Sequence, residues 1–207
     1  MVYVYVTEDN LKYPQKYMYS AYEGIHFLQV YIQNREAAIE KIGQLTNSKF
    51  HVNEQLEYIK NRYASSAGLT VSPDAPLLAN LSVSLLVILD QDCEAEGNVG
   101  WLDGLIKSFE VRKRLYAGYD EKFKPVSDQY HDLELYAQFS CLLALHYKCN
   151  QNLRYLNVLL KVNDTLISQL PRIGDPDLLN MVRLALTMEK SFIEDLCLKK
   201  GVRLDAE

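Results

Sequence analysis

The 207-residue chain is short of helix breakers, with nine glycines and six prolines. That scarcity excludes a collagen-like repeat and a low-complexity coil. Its four cysteines, Cys93, Cys141, Cys149 and Cys197, form no Cys-x-x-Cys and no paired Cys/His spacing. A zinc-finger framework and a disulfide-dense miniprotein are thereby excluded. Cys141 and Cys149 sit in an apolar run, where a free thiol behaves as a small hydrophobe, so reduced structural thiols are expected. No long hydrophobic run occurs. The most apolar stretch, Leu77 to Leu89, is interrupted by Asn80, Ser82 and Ser84, against the roughly 20 apolar residues of a membrane-spanning helix.

The first nine residues carry no basic region and no signal-like apolar block, so the expectation is a soluble, cytoplasmic chain without a membrane partner. There is no excess of positive charge either. Twenty-two Lys and Arg stand against 27 Asp and Glu, a net charge of −5, which argues against a general nucleic-acid binder. Gly-x-Ser-x-Gly, the Walker loop, His-Glu-x-x-His and Gly-x-Gly-x-x-Gly are all missing. A phosphate-cradling or nucleophile-elbow enzyme is therefore not expected, although triads assembled from distant residues would leave no local signature.

What the chain does have is apolar residues, 48% of the total, arranged mostly at helical spacing. Val2, Val4 and Val6 alternate with Tyr3 and Tyr5, a period-2 pattern suited to an extended strand. From about Tyr17 the period becomes helical. Ile25, Leu28, Ile32, Ile39 and Ile42 form one seam, read as one helix to about Leu45 or as two broken near residues 34–36. Further helices are expected over Asn53–Ala64, from Pro76 to Leu89, from Val99 to Tyr116, and from an N-cap at Ser127 to Lys148. The last of these is apolar on more than one face, which places it in the centre of a bundle. Leu153–Leu170 follows. The final helix has Asp175 as cap, Pro176 at N1, Lys199 and Lys200 in the last turn and Gly201 after it. The expected fold is all-α: an extended arm over 1–16 and a helical bundle domain over 17–207, with seven or eight helices.

Two acid-x-x-histidine pairs offer one candidate metal site. Glu23-Gly-Ile-His26 and Asp128-Gln-Tyr-His131 each put an acid three residues before a histidine. An i, i+3 pair shares a helix face, and di-metal carboxylate bundles use such pairs from two helices plus acids from two others. Glu189 is the best third acid, with Glu57 and Glu110 behind it. Iron or manganese would suit this donor set, and a non-haem oxidase or oxygenase acting on an apolar substrate is the alternative function. The acidic loop Asp90–Gly97 lacks the determinants of a calcium-binding EF-hand: counted from Asp90, the positions for Gly and bidentate Glu hold Ala95 and Trp101. His146 lies on an apolar stripe and is expected to be a core histidine with a hydrogen-bonded ring.

Arg112, Lys113 and Arg114 open a locally basic stretch that could hold an anion. Fifteen tyrosines are present, seven of them within the first 31 residues. Tyrosine joins a large apolar ring to a polar tip and suits protein interfaces. Tyr3, Tyr5, Tyr13 and Tyr17 are the candidate partner-binding residues. The leading expectation is a helical protein–protein interaction or scaffold protein, without cofactor, that self-associates as a homodimer through its tyrosine-rich N-terminal segment.

Overall fold

The structure, a computed structural model, describes residues 21–72, 74–90, 99–126, 128 and 132–199, with side chains of the first helix from residue 31 and without that of Val99. Seven α-helices make up most of these residues: α1 Ala21–Thr46, α2 Val52–Arg62, α3 Leu77–Asp90, α4 Val99–Arg112, α5 Leu133–Asn150, α6 Leu153–Gln169 and α7 Pro176–Lys199. Among the described residues there is no β-strand, only an isolated antiparallel bridge between Tyr119 and Pro125. The fold is an all-α bundle. The expected N-terminal strand and Gly201 lie outside the described residues.

The amphipathic seam of the first helix continues through residues 34–36 without a break. Its end is set by Asn47, which takes a positive φ of 45°, a conformation that Asn tolerates better than most residues. The last helix begins as its punctuation implies, with the Asp177 N–H donating to Asp175 Oδ1 at 2.9 Å and Pro176 as its first residue.

Two helix boundaries differ from expectation. Helix α4 stops at Arg112 rather than Tyr116, because Lys113 takes a left-handed φ of 58° and its N–H closes the last turn on the Phe109 carbonyl at 2.7 Å. Helix α5 starts at Leu133, not after Ser127. Its cap is Asp132, whose side chain accepts the Glu134 N–H at 2.9 Å. Asp128 thus lies before the helix, exposed.

Helix α5 is the axis of the bundle, as its all-round apolar pattern requires: every residue from Leu135 to Tyr147 is buried. It packs against α3, α6 and α7, while α1 lies along α7 and α4 rests on α6. Phe109 of α4 meets Tyr136 and Phe139 of α5 edge-on at 6.5 and 5.8 Å between ring centroids, and Tyr147 meets Phe192 of α7 at 4.8 Å. Cys141 and Cys197 are buried free thiols. Cys149, expected to be reduced, is disulfide-bonded. The fourth cysteine, Cys93, lies outside the described residues. No described helix is long and apolar enough to cross a membrane.

Candidate functional site

Glu189 shows how tertiary packing assigns a role that spacing left open. It sits in the middle of α7, wholly buried, and the i, i+4 partners Tyr31 and Arg35 of α1 face it. Arg35 Nε donates to Glu189 Oε1 at 2.7 Å, and the Tyr31 hydroxyl donates to the same oxygen at 2.9 Å. The other oxygen accepts from the Asn163 amide of α6. Asn163 Oδ1 in turn accepts from Ser140 of α5 at 2.5 Å. Arg35 Nη2 donates to Asp164 at 2.6 Å, to the Leu160 carbonyl at 3.4 Å and to the Tyr31 hydroxyl. Burial and the facing carboxylates push the Tyr31 phenol far up and keep it protonated, and the same carboxylates hold Arg35 charged. Four helices meet in one hydrogen-bonded cluster, and both Glu189 oxygens are taken by donors of the chain itself. The guanidinium beside it supplies the positive charge that a metal ion would otherwise bring.

Of the other expected metal-site residues, only Asp128, Glu57 and Glu110 have described side chains. Asp128 lies before the first residue of α5 and is exposed; His131 lies outside the described residues. Glu23 and His26 fall on α1, but their side chains are outside the described set. Glu57 is exposed. Glu110 receives a bidentate pair from Arg154, at 3.2 and 2.7 Å, which holds its carboxyl below the usual range. Among the described residues no three His, Cys, Asp or Glu gather as ligands.

His146 is buried as expected, edge-on to Tyr155 at 5.9 Å. Burial lowers its pKa to about 4, so the imidazole is neutral at pH 7.

The helix ends at Arg112, the first of the three bases. Arg112 turns back to Ser108 at 3.2 Å, Lys113 donates to the Glu110 carbonyl, and Arg114 is exposed. Tyr3, Tyr5, Tyr13 and Tyr17 lie outside the described residues.

A cleft, not foreseen from the sequence, opens where the segment after α4 folds back. Residues 115–126 form a short hairpin. Val126 N–H donates to the Gly118 carbonyl at 3.1 Å and Asp120 N–H to the Lys124 carbonyl at 2.9 Å. Phe123 takes a left-handed φ of 57° at the turn. The Asp120 carboxylate accepts the N–H groups of Lys122 and Lys124 at 2.9 and 2.8 Å. These bonds hold its pKa below the ordinary value and keep it ionised.

Four contacts pin the hairpin to the bundle. Leu115 N–H donates to the Tyr136 hydroxyl at 3.2 Å, and the Ala117 carbonyl accepts the Leu77 N–H at the start of α3, at 2.8 Å. Ser108 Oγ donates to the Phe123 carbonyl at 2.9 Å. The Phe123 ring lies flat in the gap left by Gly104, where any side-chain carbon would overlap it.

Between the hairpin and the N-terminal turns of α3 and α4 lie two adjoining cavities. The inner one, about 220 Å³, has Leu77, Trp101, Leu105 and Phe123 as apolar walls, and Asp120 and Glu121 are its charged residues. The outer one, about 820 Å³, shares Tyr119, Asp120 and Glu121 with it and adds Asp74, Pro76, Lys122, Lys124 and Val126. Trp101 is the only tryptophan of the chain. An engineered apolar cavity of about 150 Å³ accepts a benzene ring, so the inner cavity has room for one aromatic side chain, with Asp120 and Glu121 in its lining as acidic partners for a cation. The one signal in the sequence was Gly104, a glycine inside a strong helical pattern, which marks close approach of another group. Which group approached was not legible.

The architecture defined by these elements is a seven-helix bundle with a hairpin-covered cleft. Comparison of the chain with protein-family models, with curated proteins and with solved structures gives no match.

Proposed function

We propose that this chain is a non-catalytic interaction protein whose cleft beneath the 115–126 hairpin binds a short aromatic and basic segment of a protein partner. The observation that carries this reading is the inner cavity: four apolar side chains around a ring-sized space, with Asp120 and Glu121 as its charged lining residues. Burying one aromatic side chain removes some 150–250 Å² from water, worth about 4–6 kcal/mol before the costs of association. A lysine beside it adds on the order of 0.5–1 kcal/mol at an exposed rim. Once the several kcal/mol that association costs are subtracted, a single aromatic–basic unit should bind with a Kd on the order of 1 mM or weaker, and affinity in the partner comes from several such units.

Trp101 supplies the assay, since it is both a wall of the cavity and the sole indole. Titration with the amidated dipeptide Lys-Tyr should shift its emission saturably. Acetyl-Glu-Tyr amide, with the same ring and the opposite charge, should shift it at least several-fold more weakly. Equal responses to both, or none to either, would refute the reading.

A further inference from the structure

The proposed cleft ligand has a match in this chain's own sequence. Residues 12–17 read Lys-Tyr-Pro-Gln-Lys-Tyr, two Lys-Tyr units four residues apart, and Leu11–Tyr19 carries two lysines and no acid. In an overall acidic chain of charge −5, this is a local concentration of the ring and charge that the cleft would accept. The two cavities adjoin, sharing the walls Tyr119, Asp120 and Glu121, as the two Lys-Tyr units adjoin in the sequence. Pro14 favours an extended backbone at Tyr13. The helix that follows the segment, α1, packs on α7, whereas the cleft is walled by α3, α4 and the hairpin.

We infer that the cleft receives the Leu11–Tyr19 segment of a second copy of this chain, giving a closed two-fold dimer in which each protomer donates one segment and accepts the other. The inference rests on the cleft reading above and names its partner. Charge complementarity carries it: Lys12 and Lys16 of one copy meet Asp120 and Glu121, the charged residues of the inner cavity, with Asp74 at the outer one, where three acids stand against Lys122 and Lys124.

The test is a charge exchange in the full-length chain. One variant is Lys12→Glu/Lys16→Glu, and the other is Asp74→Lys/Glu121→Lys. Asp74 and Glu121 are exposed, and Asp120, which holds the hairpin turn, is left intact. Sedimentation velocity from about 1 to 200 µM reads mass while Trp101 emission reads the cleft, with helical circular dichroism as a folding control. Wild type should dimerise with a concentration-dependent Trp101 signal, and each variant alone should lose affinity by about tenfold or more. Their equimolar mixture should recover wild-type affinity, because both exchanged contacts are again between opposite charges.

A monomeric wild type at 200 µM overturns the inference. So does a segment variant that dimerises unchanged, and so does a Trp101 change on segment reversal without a change of mass, which would place the segment in its own protomer's cleft. In each of those cases a saturable Trp101 response to the Lys-Tyr dipeptide would leave the cleft reading standing. Its absence would remove both.

Discussion

The Arg35–Glu189 pair offers the sharpest quantitative test of how the bundle is held in register. Both side chains are almost completely buried, 4% and 0% exposed, with 2.7 Å between Nε and Oε1. Removing one partner leaves a desolvated charge in the interior, at a cost of about 3–5 kcal/mol. Arg35→Met strands Glu189 with only the Tyr31 and Asn163 donors. Glu189→Leu strands Arg35, though Asp164, at 2.6 Å and 23% exposed, retains part of its compensation. The arginine substitution should therefore be the worse of the two.

In the double variant neither charge is left unpaired in the core, so its cost should fall short of the sum of the singles by at least about 2 kcal/mol. For a domain of this size each kcal/mol moves Tm by about 2–4 °C, which puts the Arg35→Met shift near 6–20 °C. Urea unfolding followed by circular dichroism, with the slope checked for constancy across variants, measures the cycle directly. Single variants within about 1 kcal/mol of wild type, or strictly additive costs, would refute the claim that this pair locks α1 to α7.

The remaining predictions concern His146 and the hairpin. His146 has a folded-state pKa of about 4, below the roughly 6.5 of an unfolded chain, so the unfolded state binds the proton more readily. The resulting stability penalty is absent above about pH 6.5, grows as pH falls, and reaches about 3 kcal/mol below pH 4. His146→Gln should flatten that part of the urea-midpoint profile between pH 7 and 4, and a profile parallel to wild type would contradict the assignment. Gly104→Ala should displace Phe123, since the added methyl overlaps its ring. Overpacking of this kind costs about 1–3 kcal/mol, and the change should appear as an altered Trp101 emission. An unchanged spectrum with unchanged stability would show that Phe123 does not occupy the gap.

Helical spacing made much of the fold legible, and the legible parts are the local ones. The continuous apolar character of Leu135–Tyr147 marked α5 as the buried axis, because an element with no polar face has no stable place at a surface. Asp175 and Pro176 marked the start of α7, since capping groups and a missing N–H act within one turn. The errors are local competitions that spacing does not resolve. At 127–132 two capping candidates compete, and Asp132 prevails over Ser127. At Lys113 a left-handed residue ends a helix whose apolar pattern runs on through Leu115 and Tyr116. Those two residues are used by the hairpin instead.

The candidate site was less legible for the same physical reason. Glu189 was rightly singled out at the interior face of α7, but the identity of its partner depends on a residue 154 positions away. Spacing within α7 carries no information about α1. The cleft likewise requires the hairpin to return over α4, which only the Phe123–Gly104 fit and the Ala117–Leu77 hydrogen bond specify.

By itself the sequence determined that this chain is helical, which helix is central, and how the last helix begins, since these follow from interactions between residues three and four apart. Only the tertiary structure decided that a glutamate suited to metal binding is held by an arginine, and that a turn after α4 becomes the wall of a cleft. Such outcomes depend on burial and on long-range pairing, and desolvated groups take whichever partner packing brings within hydrogen-bond reach.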